Sequence, residues 1–169
     1  EEHLDSLTDI LEQEDASGAD KSARDKEKKK QQYRELLGRS RGKTVADIDD
    51  MGIDYLVVDE AHNFKSVFEY IPTDRDGNKR YVIQSVQSAR GIRAFFHAMY
   101  VQRTYGQNVM LLSATPFTNN PLEIFSMLSL VGYKALEEYG VGNIYDFLTT
   151  FIREEREWTN DYKGRVVLK

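Results

Sequence analysis

Apolar positions along the chain fall into two regimes. Through residue 44 they are sparse and helically spaced, with Leu4, Leu7, Ile10 and Leu11 on one narrow stripe and Tyr33, Leu36 and Leu37 on another. Between them Ala16-Ser17-Gly18-Ala19-Asp20 reads as a break. Residues 1–44 therefore predict a charged helical hairpin and linker in which two thin stripes meet. From residue 45 the apolar residues come in blocks. Residues 53–58 and 108–113 are short β-rich runs of the buried parallel type. Residues 85–104 carry Val86, Ala89, Ile92, Phe96, Met99 and Tyr100 at helical spacing, with Gly91 tolerated among them. Residues 121–130 predict another helix, with Pro121 acceptable in its first turn, and residues 144–158 a further one. A polar break at 160–164 precedes the short apolar end Val166-Val167-Leu168.

Strand, helix, strand is a βαβ unit and predicts an α/β fold with a parallel sheet over residues 45–169, preceded by the acidic hairpin. With two strands in view, this sheet has open edges. Self-association, an added strand from Val166-Val167-Leu168 or cover from the N-terminal helices would protect them. One insertion interrupts the order, with Asp76-Gly77 between Phe68-Glu69-Tyr70-Ile71 and Arg80-Tyr81-Val82-Ile83. It predicts a hairpin or a long loop. Its aromatics with Arg75, Lys79 and Arg80 suit either loop packing or stacking on a nucleic-acid strand.

Composition narrows the chemistry. The 169 residues suffice for one domain with a core. With 23 Lys+Arg against 28 Asp+Glu the net charge is -5, so a general basic footprint for nucleic acid is absent. Residues 1–50 hold 10 Lys+Arg and 14 Asp+Glu, which places -4 of that charge in the front part and leaves the rest nearly neutral. The Lys28, Lys29, Lys30 cluster reads as a solvated helix face or a phosphate contact. The absence of cysteine excludes disulfides, thiolate zinc sites and cysteine nucleophiles. No apolar run approaches the roughly 20 residues of a membrane span, so no membrane partner is expected. A chain opening on Glu1 rather than Met is expected to be a segment of something longer.

The sharpest chemical signal is Leu56-Val57-Val58-Asp59-Glu60-Ala61-His62, an apolar strand ending in adjacent carboxylates. Ligands of parallel α/β sheets gather beyond the carboxyl ends of the strands. Asp59 suits magnesium held through water, because this hard ion keeps part of its hydration shell. Glu60 suits orienting and deprotonating a water that attacks a γ-phosphate. His62 follows where it could sense both nucleotide and neighbouring domain. An ordinary polar turn is the plain alternative. A metal triad is disfavoured because no second histidine lies nearby, and His3 and His97 have no recognisable spacing to a partner.

The second signal ends the second strand: Ser113-Ala114-Thr115-Pro116-Phe117-Thr118-Asn119-Asn120-Pro121-Leu122-Glu123. Its small hydroxyl residues can hydrogen-bond across to the acidic motif. Asn119 or Asn120 suits a helix N-cap, with Glu123 in the favoured first turn. A well-capped junction alone would also explain the run.

Together the D-E-A-H and S-A-T words resemble motifs II and III of superfamily-two helicase-like ATPases. The longer run L-L-S-A-T-P-F-T-N-N-P-L-E-I-F-S-M-L looks most like the Swi/Snf-type branch. V-D-E-A-H-N-F-K, the preceding acidic hairpin and F-L-T-T-F are similar to the helicase part of very large phage and conjugative-element proteins, often labelled adenine-specific DNA methyltransferases. The resemblance covers about residues 45–155, strongly at 55–66 and 111–128. It implies the C-terminal half of a RecA-like motor lobe, with ATP and magnesium as cofactors and duplex DNA and the other lobe parts as partners. The setting it implies is the cytoplasm of a bacterial or phage-infected cell. By resemblance, Asp59 and Glu60 serve magnesium and water activation, and His62 couples hydrolysis to nucleic acid. Lys65, following motif II near the surface, couples to nucleic acid together with Ser113 and Thr115, which link the nucleotide site to the DNA groove, and Pro116, Asn119, Asn120 and Glu123 shape the turn.

One departure from that pattern matters. A competent ATPase needs a Gly-rich loop with Lys and Ser/Thr after its own strand. Gly38-Arg39-Ser40-Arg41-Gly42-Lys43-Thr44 has three residues between its glycines where four are expected, and no apolar strand precedes it. It reads as a coincidental match, and no arginines of a second motor domain are evident. The isolated chain is therefore expected neither to bind ATP tightly nor to hydrolyse it. A non-catalytic degenerate lobe that binds a protein or nucleic acid is the alternative. A small nuclease would need further converging acids, which the sequence does not offer.

Overall fold

The two apolar runs become neighbours in space. In a computed structural model, which describes residues 7, 10, 11, 23–38, 51–69, 85–118, 120–153, 158–160 and 166–168, strand β1 (Leu56–Val58) pairs in parallel with β2 (Val109–Leu111). Leu56 stands opposite Val109, Val57 opposite Met110 and Val58 opposite Leu111. Each strand is shorter than its apolar run, yet the ladder continues beyond both ends. Leu56 N–H donates to the Asn108 carbonyl at 2.9 Å, and Leu112 N–H donates to the Val58 carbonyl at 2.9 Å.

Helix α2 (Ala89–Tyr105) makes the crossover between these strands, completing the expected βαβ unit. Ser88 caps it, accepting Gly91 N–H at 2.9 Å. The helix starts later than the periodicity suggests. Val86 lies before the cap and is exposed, whereas Phe95, outside the expected stripe, is fully buried. Gly91 is also more than tolerated. A Cβ there would collide with the Ser66 carbonyl, the group that accepts Ser88 N–H at 2.9 Å, so α2 can dock on the segment following the first motif.

Helix α3 (Pro121–Glu138) runs past its expected end and is interrupted at Gly132. Gln102 of α2 repairs the break. Its amide nitrogen donates to the carbonyls of Ser129 (3.2 Å) and Leu130 (2.8 Å), and its oxygen accepts Tyr133 N–H at 2.8 Å. Helix α4 (Ile144–Phe151) is shorter than expected, ending at Ile152 with extended backbone. Trp158 instead belongs to β3 (Trp158–Asn160), which pairs antiparallel with β4 (Val166–Leu168). The terminal apolar run thus forms its strand in a separate two-stranded sheet, leaving β1–β2 without it.

Helices α2 and α3 pack on each other and on β2, and α4 packs on α3. Their shared interior is aromatic. Phe68 meets Phe95 at 5.5 Å and Phe125 at 5.0 Å between ring centroids, and Phe125 meets Phe147 at 5.1 Å. The front part also contributes to this core, its apolar stripes landing on the α/β part. Leu7, Ile10 and Leu11, all helical, and Tyr33 of helix α1 (Ala23–Gly38) are buried in the same cluster. Arg93 of α2 donates to the Leu36 carbonyl at 3.0 Å, and Tyr33 donates to Gln87 at 3.0 Å, fixing α1 against the α/β part. The break at 16–20, the Gly-rich run at 39–44 and the insertion at 70–84 lie outside the described residues.

The opposite face of the parallel pair is open. Tyr55, Val57, Met110 and Leu112 are 53, 51, 47 and 43 % exposed. Among the described residues no helix is long and apolar enough to cross a membrane. The fold is α/β, with a small parallel sheet consistent with part of a RecA-like lobe.

Candidate functional site

Strand β1 stops because the chain turns sharply at its end. Glu60 has φ 49 and ψ 46, the left-handed region, and among the described residues it is the one non-glycine with positive φ. Such backbone costs an L-residue of order 1–2 kcal/mol. Four hydrogen bonds hold it there. Asp59 Oδ1 accepts Glu60 N–H at 2.8 Å. The Glu60 carbonyl accepts Asn63 N–H at 3.0 Å and Asn63 Nδ2 at 3.1 Å. Ala61 N–H donates to the Leu112 carbonyl at 3.0 Å, and the Ala61 side chain is fully buried. A 3₁₀ turn (Ala61–Phe64) follows and packs against α2. The result presents both carboxylates, exposed, at the carboxyl end of β1. Backbone strain of this kind gathers at functional sites.

The second motif meets the first across the strand ends. His62 Nδ1 lies 3.2 Å from Glu60 Oε2 and 3.3 Å from Ser113 Oγ, so one ring nitrogen faces both motifs. As N–H it donates to the carboxylate or the hydroxyl. Ser113 Oγ also accepts Thr115 N–H at 3.2 Å and so begins the loop after β2. Thr115 and Pro116 are exposed along that loop, and Asn119 lies outside the described residues. Asn120 is the N-cap of α3, its Oδ1 accepting Leu122 N–H at 2.9 Å, and Pro121 opens the helix.

Lys65 and Glu123, placed in different motifs by the sequence, are in contact. Lys65 Nζ lies 2.9 Å from Glu123 Oε1 and donates to Thr118 Oγ1 at 2.8 Å. Glu123 Oε2 accepts Thr118 N–H at 2.7 Å. Asn63 and Thr118 carry no role in the sequence reading. Periodicity gives no signal for either, because both act on backbone geometry in turns.

The donor set fits a magnesium ion that brings most of its own ligands. Asp59 supplies one exposed carboxylate at the strand end, and among the described residues no group of three or more His, Asp or Glu side chains could cage a metal. A hydrated ion shared with nucleotide phosphates needs no such cage. His97 stands apart on α2. Burial lowers its pKa below 6.5, and the neighbouring Arg93 charge adds to the effect.

No protein-family model matches this chain, and no solved structure matches it. It is similar to the Defense against restriction protein B of Escherichia phage P1, with 29% identity over 128 residues, covering 70% of this chain and 5% of the phage protein. The chain thus spans about 5% of the length of the curated relative it matches.

Proposed function

We propose that this chain forms part of the first motor lobe of an ATP-dependent helicase or translocase acting on duplex DNA. One observation carries the reading: D-E-A-H and S-A-T stand at the carboxyl ends of two adjacent parallel strands and meet through His62 and Ser113. Asp59 would hold magnesium, which when bound would supply charge neutralisation at the nucleotide phosphates. Glu60 accepts a proton from the attacking water. The left-handed turn sets the direction in which the Glu60 side chain leaves the backbone, and the His62 contact at 3.2 Å helps position its carboxylate for general-base work. His62 touches that base and Ser113 at once, so a change at the nucleotide reaches the loop carrying Thr115, the DNA-coupling element. The likeness to a phage protein named for defense against restriction supports a DNA-directed role in a bacterial or phage-infected cell. A fused methyltransferase, as in the large mobile-element proteins, fits the same setting.

The open apolar sheet face favours a second reading, a non-catalytic lobe that serves as an interaction module. One substitution separates the two. In a longer protein carrying this segment together with a phosphate loop and a second lobe, Glu60→Gln should abolish magnesium-dependent ATP turnover and spare nucleotide binding. Unchanged turnover would reject the motor reading. The 169-residue chain alone should show no turnover. ATP hydrolysis by it, lost in Glu60→Gln, would overturn its assignment as one part of a larger site.

A further inference from the structure

The loop after β2 is tied to the acidic turn at two points. At its start Ser113 Oγ meets His62 Nδ1. At its end Lys65, three residues beyond His62 along the chain, reaches Thr118 and Glu123. Three separate elements meet there: the segment leaving the 3₁₀ turn, the loop itself, and the first turn of α3. The Lys65 and Glu123 side chains are only 21 and 18 % exposed, which sets them apart from solvent-swept surface pairs. Both Glu123 oxygens are engaged, Oε1 by the ammonium and Oε2 by the Thr118 amide at 2.7 Å. These are charge-assisted hydrogen bonds, the short and directional kind. Glu123 also sits in the first turn of α3, where the helix dipole favours a carboxylate.

We infer that Lys65, Thr118 and Glu123 form a positioning clasp that holds residues 113–118 in the register in which Ser113 reaches His62. Lys65 then acts through Glu123 rather than by offering its charge to a nucleic-acid phosphate. With both ends of the loop fastened to residues 59–65, a displacement of the acidic turn moves the loop as one body. The inference rests on the proposed motor reading for its purpose, but its geometry is testable without nucleotide or DNA.

The test is an NMR comparison of this chain, reading the His62 ring resonances. The chain has 3 histidines, so one His62→Gln spectrum assigns the signal. Lys65→Met and Glu123→Gln should each shift the His62 ring signals in the same direction and leave those of His97 in place. The double variant should shift them no further than either single one, and Lys65→Arg should restore the native position. Thr118→Val, the mildest change, should give a smaller shift of the same sign and guards against variants that fail to fold. Native His62 signals in Glu123→Gln and Thr118→Val would overturn the clasp. So would additive shifts in the double variant, because independent residues add and members of one unit do not. Unchanged ATP turnover in the Glu60→Gln experiment, which would reject the motor reading, would leave these shifts unaffected, so the two ideas fail separately.

Discussion

The two sides of the parallel pair are built on different principles. On the side covered by α2, α3 and α4, rings from Phe68, Phe95, Phe125 and Phe147 interlock, and the break in α3 at Gly132 is closed by Gln102. At the strand ends, by contrast, Glu60 takes a disfavoured backbone, and the motifs touch through single hydrogen bonds among half-exposed side chains. Stability resides in the first region and the proposed chemistry in the second. D-E-A-H can be so short because the turn needs only a stable strand pair to hang from, and the helical side supplies it.

The strongest way to break this comparison is to cut into the aromatic side. Phe125→Ala removes a ring in contact with both Phe68 and Phe147 and should cost about 3–5 kcal/mol. Urea unfolding measures it, and a loss well below that range would mean the helical side is loosely packed. Gln102→Ala comes next. It leaves the Ser129 and Leu130 carbonyls and the Tyr133 amide without their partner, for an expected loss of about 2–3 kcal/mol. Gln102→Glu sharpens the assignment. It keeps an acceptor for Tyr133 but turns an oxygen toward two carbonyls, so it should rescue little.

Much of this architecture was legible in the sequence, and the failures have physical causes. The two apolar runs and the helix between them marked the βαβ unit, although the two-sided burial such runs suggest is met on one face only, Val57 and Met110 being half exposed. Both motifs fell at strand ends as expected, and Asn120 with Pro121 marked the start of α3. Helix ends were less readable. Val86 continued the stripe, but Ser88 offers a cap two residues later, and the cap prevails. In α4 the periodic pattern runs on toward Trp158, yet the backbone is extended at Ile152. Tertiary repair was invisible: nothing in residues 121–138 shows that a glutamine on another helix completes α3. The burial of Leu7, Ile10 and Leu11 was hidden by the charge around them, since a narrow stripe suffices when it lands on an existing core. At the site, residue identities were readable but the left-handed turn was not, because no glycine announces it.

That turn supplies a smaller test with the opposite sign. Glu60→Gly should stabilise the chain by up to about 1 kcal/mol, since relief of the left-handed backbone exceeds the extra freedom glycine gains when unfolded. Thermal unfolding would show a raised midpoint. A lowered one would mean that the His62 contact contributes more than the backbone costs, and the comparison between the two regions would then lose its main support.

The smallest expected effect probes the sheet from both faces at once. Val57 and Val109 lie in paired strands of the same short sheet, but Val57 is half exposed and Val109 is buried. Threonine keeps the β-branched shape and the strand preference of valine while adding a hydroxyl. Val57→Thr should therefore change stability by no more than about 0.5 kcal/mol, as surface substitutions do. Val109→Thr should cost clearly more, because its hydroxyl enters the aromatic side. Unfolding at several protein concentrations decides between two origins of any larger Val57 effect. A cost that grows with concentration means that a second copy covers the open face, whereas one independent of concentration means that the face is covered within a single chain.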